Sequence, residues 1–155
     1  MTPSQLVGEI VTTNLTALKS TGSSLRNIII NTHGFAGGLR IGGLTKAAMY
    51  KEDLGVFGML KPFNVGTIWL VGCHSAKSET GQSFCQTLAN IAGTQVIASD
   101  ADQVVSNWQG VQLFLAFRWN IDDFEGTVYS FTPAGGMTKG IDPEEFVWTV
   151  QESRW

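Results

Sequence analysis

The chain has 155 residues, enough for one domain, 1–155, that buries roughly 70% of its unfolded surface without a disulfide or metal staple. Apolar residues make up 43% and charged residues 15%, which excludes a disordered chain. A formal net charge of -3 with no basic run argues against nucleic-acid binding, and no apolar run approaches the ~20 residues of a membrane span. Cys73 and Cys85 alone make no disulfide framework, and no basic region followed by an apolar core marks a signal peptide. The expectation is a soluble, cytoplasmic protein; delivery by a specialised secretion machine would leave no mark in this sequence.

Residues 3–19 predict a helix, with Leu6, Ile10, Leu15 and Leu18 at roughly helical spacing, Thr2 as cap and Pro3 at the first helical position. Residues 20–24, rich in Ser, Thr and Gly, form a loop. Leu25 to Thr32 is the first strand; its continuous apolar core, Ile28-Ile29-Ile30, is what a strand covered on both faces by helices requires. A glycine-rich stretch follows, from His33-Gly34 to Gly42-Gly43. It predicts a β-hairpin turning at Gly37-Gly38 and a rim that substrate backbone can approach closely. It is not a phosphate loop, because the glycine spacing is wrong and no Gly-Lys-Ser/Thr follows.

Lys46 to Leu60 carries a helix with Leu54, Phe57 and Leu60 on its apolar side, ended by Lys61-Pro62. Thr67 to Gly72 is the central strand and delivers Cys73. Ser78 to Ala92 is the clearest helix, with Phe84, Leu88 and Ile91 on one face and Gly93 to stop it. Thr94 to Ala98 is a third buried strand, ending in Ser99-Asp100. Strands alternating with helices predict a parallel, doubly wound sheet. Val111 to Trp119 and Thr127 to Phe131 read as aromatic-rich strands, and Pro143 to Trp155 as a docked tail.

In open parallel sheets, ligands bind beyond the carboxyl ends of the strands. His33, Cys73 and Asp100 each lie just past the end of a predicted strand. A thiolate is a strong nucleophile, and an imidazole beside it can take its proton and return it to a leaving amine. The backbone N–H groups of Gly34 and Cys73 are the natural donors to an oxyanion. Each residue also has a plainer reading: Cys73 as a small buried residue, His33-Gly34 as a turn. Cys85, inside a helix near its apolar face, reads as structural. His74, next to Cys73, is a second candidate base. Zinc held by Cys73, His74 and His33 matches no standard ligand spacing, and no Gly-x-Ser-x-Gly elbow supports a serine hydrolase.

Two blocks, Asn27-Ile-Ile-Ile-Asn-Thr-His33-Gly34 and Thr67-Ile-Trp-Leu-Val-Gly72-Cys73, resemble the caspase-like cysteine peptidases, which include caspases, legumain, gingipain, separase and the self-processing domains of large bacterial toxins. The segments from Ala76 through Gly81-Gln82-Ser83-Phe84 and Leu88-Ala89 to Gly93–Ser99 resemble bacterial caspase-like domains in particular. The resemblance spans residues 25–135. It implies a caspase-like three-layer α/β/α sandwich with a mostly parallel central sheet. It also implies a His33–Cys73 dyad, an oxyanion hole at Gly34 and Cys73, and peptide-bond hydrolysis without a cofactor in the chemistry, although calcium or inositol phosphates activate some members.

The caspase pentapeptide Gln-Ala-Cys-x-Gly is absent, so aspartate specificity does not carry over; Arg40 is the nearest candidate to bind an acidic side chain. Asp100 and Asp102 instead follow the third strand, where carboxylates would favour a basic residue before the cleaved bond. Ser99 joins them as a candidate substrate contact. Ser106-Asn107-Trp108 is a candidate edge for an extended peptide, although Trp108 also suits a core. The function expected is a cysteine endopeptidase acting on a protein or peptide, of bacterial and effector type by resemblance alone. Two alternatives stay open: a catalytically silent caspase-like module used for binding or assembly, and a cysteine acyltransferase with the same dyad.

Overall fold

The computed structural model describes residues 2–41, 48–71, 74–101, 112–114 and 126–142. The chain opens with helix α1 (Pro3–Thr21). It starts where the sequence predicts, because Thr2 and Gln5 cap each other: the Gln5 N–H donates to the Thr2 hydroxyl at 3.1 Å and the Thr2 N–H to Gln5 Oε1 at 2.7 Å. Strand β1 (Asn27–Asn31) follows, then a three-stranded antiparallel sheet of β2 (His33–Phe35), β3 (Gly38–Arg40) and β4 (Ala48–Tyr50). The hairpin turn is Ala36-Gly37, one residue earlier than expected, with Gly37 at φ +90° and Gly38 already in strand β3.

Lys51–Phe63 is a 3-10 helix rather than the expected α-helix over 46–60, and Pro62 lies inside its last turn. Its buried residues, Leu54, Phe57 and Leu60, are spaced by three, which aligns them on one side of a helix with three residues per turn. Strand β5 (Thr67–Val71), helix α2 (Ser78–Ala92) and strand β6 (Val96–Ser99) follow closely where predicted. Strands β7 (Gln112–Phe114), β8 (Val128–Phe131) and β9 (Met137–Lys139) complete the described elements. The tail from Pro143 to Trp155 lies outside the described residues.

The main sheet has the order β7-β1-β5-β6-β8-β9. Its centre, β1-β5-β6, is parallel; β7 pairs antiparallel with β1, and β8 and β9 extend the other side antiparallel. The class is therefore α/β, but the expected mostly parallel sheet is corrected to a mixed one. The centre is parallel because the 3-10 helix and α2 fill the two crossovers. The β8–β9 hairpin needs only a short loop, Thr132 to Gly136, and so returns antiparallel.

Alternation along each strand divides the core. Ile28, Ile30, Ile68, Leu70, Val96, Ala98, Tyr129 and Phe131 pack with residues of α1, the 3-10 helix and α2. Ile29, Trp69, Ile97 and Val128 form a second buried cluster on the opposite face, joined by Val71 and Ile141. Both faces are thus buried, as the apolar runs require. The described helices nevertheless share one face, contrary to a doubly wound expectation. The reason is topological: the chain steps from β1 to β5 to β6 in one direction, and crossovers of one hand stepping one way fall on one face.

Gly66 fixes how β5 enters beside β1. Its N–H donates to the Leu25 carbonyl at 2.8 Å, and the next N–H, of Thr67, donates to the Arg26 carbonyl at 2.7 Å. A Cβ at Gly66 would overlap the Arg26 carbonyl oxygen, a backbone atom that cannot rotate away. Gly66→Ala is expected to cost about 3 kcal/mol through this overpacking, measured as a lower midpoint in chemical denaturation.

Candidate functional site at the carboxyl edge of the parallel strands

β1 and β5 run in register from Asn27↔Thr67 to Asn31↔Val71, and the Thr32 N–H continues the ladder to the Val71 carbonyl at 3.4 Å. Beyond that edge β1 turns into β2, and His33 is its first residue. The His33 side chain is exposed, and no described residue hydrogen-bonds to its ring. Across the hairpin it faces Arg40, itself exposed and without an ion-pair partner among the described residues. The Thr32 hydroxyl donates to the Arg40 carbonyl and ties the two sides of the hairpin where the strand changes sheet.

Gly34 pairs with Leu39. In a two-residue hairpin the residues flanking the turn, here Phe35 and Gly38, exchange hydrogen bonds. Alternation then leaves Gly34↔Leu39 as the open pair and directs the Gly34 N–H off the edge of β2 that has no partner strand among the described residues.

Cys73, Asp102, Ser106 and Trp108 lie outside the described residues. What flanks Cys73 is described. β5 ends at Val71, and the chain resumes at His74, Ser75 and Ala76 in a turn leading to α2. His74 has φ +55°, a left-handed conformation uncommon for residues other than glycine. Two contacts join it to the end of β6. The His74 N–H donates to the Ala101 carbonyl at 3.0 Å, and its Nδ1 lies 3.1 Å from the Asp100 carbonyl oxygen. A carbonyl only accepts, so Nδ1 carries the proton in the neutral ring and Nε2 is the basic nitrogen. The Ala76 N–H adds a bond to the Ser99 carbonyl at 2.9 Å. The segment after Cys73 is thereby stitched to the strand beside it.

This geometry brings together His74, Ser99 and Asp100. Ser99 is fully buried, and its Oγ accepts from the Ala101 N–H at 3.3 Å. The Asp100 carboxylate is occupied at the start of β8: Oδ1 accepts the Thr127 N–H at 2.9 Å, and Oδ2 lies 3.5 Å from the Tyr129 hydroxyl. In this structure Asp100 thus acts as a tie between strands. The role of His74 as a clamp on β6 was not foreseen; the sequence carried no signal for it beyond adjacency to Cys73.

Cys85 sits on the inner face of α2, fully buried, with Sγ 3.5 Å from the Ser75 carbonyl. Burial pushes its thiol well above the ordinary value, with a hydrogen bond to its own backbone opposing, so it stays neutral and unreactive. A thiol reagent applied to the native protein is expected to leave Cys85 unmodified until unfolding, at a rate at least about 100-fold below that in denaturant, read by peptide mass spectrometry.

Among the described residues no group of His, Cys, Asp and Glu is arranged to hold a metal ion, and no helix is long and apolar enough to cross a membrane. No curated protein and no solved structure matches the chain. One family model does match, over residues 9–112, a span that runs from α1 to the first residue of β7 and includes both His33 and Cys73. On that match, which covers two thirds of its length, the chain belongs to the family described as "Domain of unknown function (DUF4347)".

Proposed function

We propose that the protein is a caspase-like cysteine endopeptidase in which Cys73 is the nucleophile and His33 the general base and acid. The observation that carries this reading is the parallel register of β1 and β5. Asn31 and Val71 are paired, His33 follows Asn31 by two residues, and Cys73 follows Val71 by two residues. Neighbouring strands lie about 4.8 Å apart, so the chain leaves β1 and β5 for these two residues from one level of the sheet, which supports a substrate carbonyl shared between them. The fold that accompanies this reading is the three-layer α/β/α sandwich; a sheet buried on both faces is compatible with it.

In this mechanism the Cys73 sulfur forms a bond to the carbonyl carbon while its proton passes to His33. The oxyanion takes hydrogen bonds from the N–H groups of Gly34 and Cys73. His33 returns the proton to the amine as the C–N bond breaks, leaving a thioester. Water, activated by the same imidazole, hydrolyses the thioester and restores the thiol. His74 holds the nucleophile's turn against β6.

The experiment is cleavage of a mixed peptide library by wild type and Cys73→Ala in parallel, read by mass spectrometry. Cleavage by wild type alone is the expected result. Equal cleavage by both would remove Cys73 as nucleophile, and silence from both across calcium and inositol phosphate additions would favour a binding module.

A further inference from the structure

The register of the β2–β3–β4 sheet places two cross-strand rows on its outer face. His33, Arg40 and Ala48 form one; Phe35, Gly38 and Tyr50 form the next. Leu39 and Met49, between the rows, point the other way and are fully buried in the core. Phe35 therefore lies on the same face as His33, about 7 Å farther along β2. Gly38 has no side chain, so the Phe35 ring lies over it, where a Cβ would collide. The ring reaches Tyr50 two strands away, with centroids 5.5 Å apart and planes at 63°.

These rings form one wall of an open pocket of about 540 Å³. The start of the 3-10 helix and the first turns of α2 supply the rest, including Lys51, Glu52, Glu79 and Ser83. The Lys51 ammonium is held by Ser83, with Nζ 2.9 Å from Oγ. Glu52 and Glu79 are exposed and have no ion-pair partner among the described residues. The pocket thus combines an aromatic wall, half-exposed at Tyr50, with two unpaired carboxylates against a single ammonium, so its lining is net negative.

We propose that this pocket binds the side chain of an arginine in a bound peptide. A guanidinium stacks on aromatic faces, its stem covers apolar surface, and its planar fork suits carboxylates better than an ammonium does. An acidic side chain would meet two carboxylates, and a small apolar one would leave most of the volume to water. The assignment deepens the peptidase reading, and its meaning as a substrate subsite rests on that reading. It moves the source of basic-residue preference from Asp100, whose carboxylate is tied to Thr127, to Glu52 and Glu79.

The test does not need catalysis. Nα-acetyl-arginine amide, the glutamine analogue and the glutamate analogue are titrated into 15N-labelled Cys73→Ala protein. Saturating amide shifts at Gly37, Thr80 and Ser83 are expected with the arginine compound, and about tenfold weaker binding with the other two. The double variant E52Q/E79Q, with an otherwise native spectrum, is expected to lose that preference. Equal binding of all three, shifts elsewhere or none, or a preference that survives the double variant would overturn the assignment. Arginine binding here with no peptidase activity in the wild type would instead sink the peptidase reading and leave the pocket standing.

Discussion

Replacing His33 with alanine is expected to lower kcat/KM about 1,000-fold, within the range seen when a positioned general base is removed. His74→Asn is expected to lower it only about tenfold. The difference follows from what each ring is doing. His33 is exposed at the start of β2, with no described hydrogen bond to its ring, so it is available to accept and return a proton. The Nδ1 of His74 is directed at the Asp100 carbonyl, and its backbone N–H at that of Ala101. Its contribution is to hold position 74, one residue from Cys73, against β6. Asparagine tolerates the left-handed backbone at φ +55°, so the substitution removes the imidazole without adding strain.

If the two variants exchange behaviours, with His74→Asn losing about 1,000-fold and His33→Ala about tenfold, His74 is the base, and the dyad of His33 and Cys73 is wrong.

How far the sequence reveals this arrangement differs from element to element. The two strand ends were legible because a buried parallel strand has a distinctive composition: β1, β5 and β6 are runs of apolar residues stopped by polar ones. Helix α1 was legible at its cap and at Leu6 and Ile10, both fully buried, but not farther along its inner face. Leu15 was expected to face inward and is 49% exposed, whereas Asn14 is fully buried. The stripe continues from Leu6 and Ile10 by fours, and an asparagine is tolerated there because its Oδ1 accepts the Leu25 N–H at 2.7 Å. The cost is an unpartnered Nδ2 in the core.

The sequence does not distinguish this 3-10 helix from an α-helix, because Leu54, Phe57 and Leu60 at i, i+3 and the Val56–Leu60 pair at i, i+4 fit the α pattern as well. The antiparallel flanks were not legible, since an aromatic-rich strand carries no mark of its neighbour's direction. The pocket beside His33 was also hidden. Phe35 and Tyr50 are fifteen residues apart and meet only because Gly38 separates them in register.

Trp69→Ala is expected to be the most destabilising substitution in the second core. Trp69 occupies the central strand and is fully buried, flanked in register by Ile29 on β1 and Ile97 on β6. Its Nε1 donates to Asn27 Oδ1 at 2.8 Å, and Asn27 is itself buried. Truncation removes the indole, leaves a cavity and strands the Asn27 oxygen, a loss of about 4–5 kcal/mol. For a chain of this length that corresponds to a fall in Tm of about 10–15 °C. Trp69→Phe keeps most of the packing and loses only the donor, so its Tm should fall by less than half as much.

The consequence reaches the site, because Trp69 lies four residues before Cys73 on the strand that delivers it. Repacking beneath β5 shifts that strand end, and a displacement near 1 Å at a reacting atom can cost about 100-fold in rate. Activity measured well below the lowered Tm should therefore drop in Trp69→Ala while the far-ultraviolet spectrum stays native. A variant that loses stability but keeps full activity would separate the second core from the site. That outcome would leave the stitching of His74 and Ala76 to β6 as the contacts that hold the turn after Cys73.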